Sequence, residues 1–155
     1  DPRLGRSAIL FLENLHNQIT IRAASSADYP AVARIQQQCA EAAQWPVGDY
    51  SNFSVRIAYE GNSAAGFLAW RQSRTDEAEL LNIGVAPEYR RHGVAKALLD
   101  QLRAKAQGDI FLEVAVTNNA AISLYAASGW VKTGVRRGYY CGGSVDAVVM
   151  KKGSC

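Results

Sequence analysis

The chain has 155 residues, enough for one domain with a full hydrophobic core of its own. Hydrophobic residues make up 48% and charged residues 20%, which excludes a disordered chain, and three scattered cysteines (Cys39, Cys141, Cys155) make neither a disulfide scaffold nor a zinc site. The 17 Lys and Arg against 14 Asp and Glu leave +3, too little to call for a nucleic-acid partner, and no apolar run approaches a membrane span. Residues 1–18 read as an N-terminal extension with a short helix behind Ser7, carrying Ile9, Leu10, Leu12 and Leu15. This helix either lies on the domain or binds a partner. Residues 18–23 alternate weakly and predict a strand. Ser25 or Ser26 starts a helix, with Asp28 in its first turn and Pro30 near the front. Val32, Ile35 and Cys39 follow at helical spacing, and Trp45-Pro46 and Gly48-Asp49 mark a loop. Three strands come next, at 53–59, 65–72 and 79–85, separated by polar turns and stopped by Pro87. An amphipathic helix over 93–107 carries Val94, Leu98 and Leu102 on one stripe and ends at Gly108. A strand at 110–116, a helix over 118–128 closed by Gly129, and strands at 130–135 and 145–151 complete the chain, with Cys141-Gly142-Gly143-Ser144 as the last turn. This order predicts an α/β layered fold around a partly antiparallel sheet.

Three segments carry chemistry. Arg90-Arg91-His92-Gly93-Val94-Ala95 lies between a strand end and a helix start. Unpaired N–H groups there favour an anion, and a glycine lets the backbone approach it closely. A basic surface turn before an ordinary helix would have the same composition. The run is neither a Walker A loop nor a GxGxxG turn. Between residues 90 and 105, five basic side chains face Asp100 alone, so the positive charge is local. The second segment is Phe111-Leu112-Glu113-Val114-Ala115. Alternation places Phe111, Glu113 and Ala115 on one face and Ile110, Leu112, Val114 and Val116 on the other. A carboxylate in such a strand sits on a surface face or in a cleft that raises its pKa. The third segment is the helix from Asn118 to Tyr125. These two residues are seven apart and share a face, with Ile122 beside them. For Tyr125 the alternative is plain core packing.

In this order, the segments resemble the core of the Gcn5-related N-acetyltransferase (GNAT) superfamily. Arg90, Gly93 and Ala95 fit its acetyl-CoA loop, after Leu81-Asn82-Ile83-Gly84-Val85. More narrowly, several segments are similar to the branch that acetylates the N-terminal alanine of a bacterial ribosomal protein. They are Leu112-Glu113-Val114, Asn118, Ala121-Ile122, Leu124-Tyr125, Ser128-Gly129-Trp130, Arg136-Arg137-Gly138-Tyr139-Tyr140 and Asp146-Ala147-Val148-Val149-Met150. The resemblance implies one acetyltransferase domain over 19–155, with a mixed, mostly antiparallel sheet of about seven strands flanked by helices. It implies acetyl transfer from acetyl-CoA, without a metal, to a protein N-terminus, with that of a ribosomal protein as the candidate acceptor.

It also implies roles. Glu113 is the general base, and its apolar strand should raise its pKa towards the working range. Tyr125 is the general acid and also touches the cofactor. The backbone at Ile83, Gly84 and Val85, on a strand the family bulges there, serves the thioester oxygen. Arg90, Arg91, His92, Gly93, Val94, Ala95 and Lys96 take the pyrophosphate. Asn118 hydrogen-bonds the pantetheine arm, and Ile122 also contacts the cofactor. Trp45, Asn82, Tyr139 and Tyr140 line the peptide groove, with sheet packing as the alternative for the tyrosines. The sparse cysteines and the lack of a signal segment predict a cytoplasmic protein. There are three departures: Ala115 stands where the family often has Arg, at the expense of a cofactor or backbone contact; Gly138 replaces a larger polar residue; and segment 45–52, part of the peptide groove, is short, which bears on the substrate. A GNAT acting on a small amine or a lysine side chain, and a non-catalytic acyl-CoA-binding module, are the competing readings.

Overall fold

The computed structural model describes residues 18–154; the helix expected near the N-terminus falls outside the described residues. β1 (Ile19–Ala23) pairs antiparallel with the first strand of a meander that polar turns and alternation build from β2 (Ser54–Glu60), β3 (Ser63–Arg74) and β4 (Glu77–Val85). β5 (Asp109–Ala115) joins β4 in parallel, β7 (Val145–Lys152) pairs antiparallel with β5, and β6 (Val131–Tyr140) takes the edge. The sheet order is β1-β2-β3-β4-β5-β7-β6. The expected mixed, mostly antiparallel sheet of seven strands is therefore the fold. β6 extends beyond the expected end at 135. A register shift around Gly138, whose φ is +63° and whose N–H donates to Asp146 Oδ1 at 2.9 Å, lets the strand continue through Tyr139 and Tyr140.

Helices cover both faces of the sheet. α1 (Tyr29–Gln37) has Pro30 in its first turn and buries Val32 and Ile35 against Ile57, Phe67 and Tyr50. α2 (Val94–Lys105) buries its Val94, Leu98 and Leu102 stripe on the opposite face. α3 (Asn119–Ala127) adds Ala121 and Tyr125 there, with Leu68, Leu80 and Ile110 beneath. Alternation along β3 makes the division visible: Phe67 and Ala69 face α1, and Leu68 faces α2.

Two irregularities create the site. β4 carries a bulge at Leu81, because Asn82 pairs with Ala69 while Leu80 pairs with Trp70. Its core-facing residues accordingly run Ala78, Leu80, then Ile83, Val85, three apart across the bulge. Asn82 and Gly84 are thereby turned towards α1. No side chain fits at Gly84, where a Cβ would lie 2.8 Å from Phe67 Cε1 and 3.2 Å from Cys39 Sγ. The second irregularity is a splay: β4 and β5 pair only from Glu77–Asp109 to Glu79–Phe111. Past that point β4 stays paired with β3, and β5 with β7, so a gap opens between the two strands in mid-sheet.

Candidate active site

At one end of the gap lies the loop before α2. Arg91 and Gly93 have positive φ, +64° and +83°, so the chain winds with its amides turned outward. Among the described residues, the backbone N–H groups from Arg91 to Lys96 have no acceptor: Arg90 N–H bonds Pro87, and Ala97 N–H is the next to bond back, to Gly93. This is an anion cradle at a helix N-terminus. It borders a cavity of about 370 Å³ lined by Ile83, Gly84, Val85, Arg90, Arg91, Gly93, Val94, Ala95 and Lys96. The wall from α3 is Ala120 and Leu124, whereas Ile122 does not line this cavity and packs against the core cluster. The His92 side chain turns away to Glu60, Nδ1 to Oε2 at 2.7 Å, which leaves only its backbone amide to the cradle. Lys96 Nζ is 2.9 Å from Asp100 on the exposed helix flank.

The centre is a cavity of about 210 Å³ inside the gap, lined by Asn82, Ile83, Glu113, Asn118, Tyr125 and Tyr140 among others. Alternation along β4 points the amides of Ile83 and Val85 into the gap. Ile83 N–H is taken by Asn82 Oδ1 at 3.0 Å, so of the three expected residues Val85 is the one left with a donor there. The bulge sits at Leu81, before the expected stretch rather than in it. Asn118 caps α3, its Oδ1 accepting from Ala121 N–H at 3.2 Å while Nδ2 donates to the Ala40 carbonyl at 3.2 Å. Tyr125 is buried against Trp130, and burial, then Glu41, pushes its phenol well above the usual range. Among the described residues its hydroxyl has no hydrogen-bond partner, and it borders the central cavity.

Glu113 departs from expectation. Its strand face is as alternation predicts, but the residue is exposed, and its carboxylate lies 3.3 Å from Arg136 Nη1. The apolar enclosure expected around it is not there, because this face of β5 opens into the cleft. Glu113 lines both the central cavity and a third cavity of about 540 Å³, which opens outward between Trp45, Leu81, Arg136, Tyr139 and Tyr140. The Arg136 guanidinium lies 4.3 Å from the centre of the Tyr139 ring, and Tyr139 and Tyr140 meet edge to face at 4.7 Å. The Tyr140 hydroxyl donates to the Glu113 carbonyl at 3.4 Å, and burial raises its pKa. Asn82 does not serve as a free groove contact: it is 3% exposed and every polar group it has is taken by the protein.

The arrangement is a charged cradle, a reaction chamber with a carboxylate and a phenol, and an outer groove, joined through one gap. A family model described as "Acetyltransferase (GNAT) family" matches residues 15–130. The chain belongs to the GNAT acetyltransferase family. This GNAT chain is 34% identical over 143 residues to the "[Ribosomal protein bS18]-alanine N-acetyltransferase" of Escherichia coli (strain K12), covering 84% of this chain and 95% of that one. It is 33% identical over 147 residues to the "N-alpha-acetyltransferase RimI" of Mycobacterium tuberculosis, covering 88% and 93%. The crystal structure of the Escherichia coli ribosomal-protein-alanine enzyme superposes with a TM-score of 0.74 at 30% identity, over 88% of this chain and 94% of that one. The GNAT chain is thus an acetyl-CoA-dependent N-acetyltransferase. Its residues fit that co-substrate: the cradle has free amides for a pyrophosphate, and the cavity behind it is walled mainly by Val85, Val94, Ala95, Ala120 and Leu124. The described residues contain no group of His, Cys, Asp or Glu able to hold a metal.

One acid at this GNAT site has no signal in the sequence. Glu41, in the loop after α1, borders both the cofactor-side and central cavities and pairs with Arg90 Nη2 at 3.3 Å. Its partner is 49 positions away, beyond the reach of any local pattern. The pair offsets part of the Arg90 charge beside the cradle. Glu41→Gln is expected to tighten acetyl-CoA about threefold to tenfold at low salt, a gain that disappears when Arg90 is also changed to Gln. Calorimetric titration of the four proteins measures it. Cys39, nearby, is no nucleophile: burial pushes its thiol up to about 11, and Sγ donates to the Val85 carbonyl at 3.1 Å.

Proposed function

We propose that the protein acetylates the N-terminal α-amine of a protein, with a ribosomal protein beginning in alanine as the foremost candidate. The observation that carries this reading is the outer groove, larger than the cofactor-side cavity and running from Glu113 past Arg136, Tyr139 and Trp45 to the surface. Such a groove suits an extended chain end better than a small amine. The relatives named for alanine N-acetylation and N-alpha-acetylation support the same reading.

Acetyl-CoA supplies the activated acetyl group. The amides from Arg91 to Lys96 hold its pyrophosphate, and Arg90, Arg91 and Lys96 add charge. Val85 N–H donates to the thioester oxygen as charge develops. An α-amine has a pKa of about 8, so a mild base suffices. Glu113 takes its proton, directly or through one water, while Arg136 orients the carboxylate. Burial holds the Tyr125 phenol above the roughly 8.5 of a free thiol. It therefore meets the departing sulfur as a hydrogen-bond donor, and its contribution is smaller than that of Glu113.

A thiol-release screen tests the proposal, with short peptides varied at the first residue beside a panel of small amines. Turnover on peptides beginning with alanine, above all other acceptors, is the expected result. Preference for a small amine would overturn it, and absence of turnover on every acceptor would favour a binding module.

A further inference from the structure

Ala43 and Trp45 line the outer groove, yet neither belongs to a helix or strand. Three buried polar side chains hold them. Asn82 takes both sides of Ala43: Oδ1 accepts from its N–H at 2.8 Å and Nδ2 donates to its carbonyl at 2.9 Å. Gln36, 4% exposed, does the same for Trp45: Oε1 accepts from its N–H at 3.4 Å and Nε2 donates to its carbonyl at 2.6 Å. The fully buried Tyr50 joins the two amides, its hydroxyl donating to Gln36 Oε1 and accepting from Asn82 Nδ2 at 3.0 Å. With Ile83 N–H also on Oδ1, Asn82 has both donors and both acceptor positions filled.

We propose that Asn82, Tyr50 and Gln36 are positioning residues that set acceptor specificity by fixing the Ala43–Trp45 wall of the groove. The inference rests on that groove being the acceptor site, as read above. Peptide groups outside regular structure must find partners, and here buried side chains supply them in place of water. The wall is thus shaped before an acceptor arrives, which lowers the ordering cost of binding. Asn82 reaches the loop because the bulge at Leu81 turns it towards α1. None of the three touches the cradle, so the effect falls on the acceptor and spares acetyl-CoA.

The full chain carrying Asn82→Ala or Tyr50→Phe tests this. Four quantities are read: acceptor KM and kcat on the best wild-type peptide, acetyl-CoA affinity by calorimetry, and hydrogen exchange over residues 42–46. Asn82→Ala should raise acceptor KM about tenfold and Tyr50→Phe about threefold, with acetyl-CoA Kd held within about twofold. The amides of Ala43 and Trp45 should exchange faster while β3 and β4 keep their protection. An unchanged acceptor KM in either folded variant would overturn the inference, as would a parallel loss of acetyl-CoA affinity. If Asn82→Ala does not fold, the conservative Tyr50→Phe decides by the same readouts. A wild type inactive on every peptide would count against the functional reading alone, and the exchange data would still decide whether these side chains hold the wall.

Discussion

Gly93→Glu is expected to abolish useful acetyl-CoA binding. Gly93 sits at φ +83°, where a side chain is strained by about 1–2 kcal/mol. Nothing lies within 4 Å of a Cβ built there, so the side chain leaves the backbone into open space and the fold should survive. Its carboxylate, however, stands at the unpaired amides of Arg91 to Lys96 and acts as a tethered competitor for the pyrophosphate. Strain and competition together approach 3 kcal/mol, about a hundredfold in Kd. Gly93→Ala carries the strain alone and should lose about fivefold to thirtyfold at most. Calorimetry on the two variants separates the effects. Micromolar binding retained by Gly93→Glu would refute the cradle as the phosphate site.

Glu113→Gln should lower kcat about a hundredfold near neutral pH, at the modest end for a general base, because water reaches this exposed carboxylate. Acetyl-CoA affinity should hold, since Glu113 lines the central and outer cavities and not the one beside the cradle. The pH profile gives the sign of the role. Below about pH 8 the α-amine carries a proton that a base must remove; above it the amine is already free. The deficit of the variant should therefore shrink as pH rises through that value. Tyr125→Phe should slow turnover only about tenfold, with no such narrowing, because a hydrogen bond to sulfur is lost rather than a base. Wild-type turnover in Glu113→Gln, or a deficit constant across pH, would remove Glu113 from the reaction.

What could be read from the sequence was local. The meander, the stripe on α2 and the parity of β5 depend on neighbours a few positions apart, and each stands in the structure. The exposure of Glu113 did not follow from its parity, because it depends on a splay from β4 and on Arg136, 23 positions on. Asn82 read as a groove contact because its partners, Ala43 and Tyr50, lie 39 and 32 positions away. The bulge did leave a trace. Apolar positions Ala78, Leu80, Ile83 and Val85 break strict alternation at Leu81, and that break turns Asn82 and Gly84 to the other face. The sixth strand read as ending at Val135, whereas a positive φ at Gly138 carries β6 on to the two tyrosines.

The most direct test uses one peptide that begins with a free alanine and also carries a lysine, incubated with acetyl-CoA and the enzyme. Fragmentation mass spectrometry then locates the acetyl group. Acetylation of the α-amine, with the lysine untouched, is the result predicted by a groove that leads a chain end to Glu113. Acetyl on the lysine, or on neither amine while a small amine is acetylated, would contradict it.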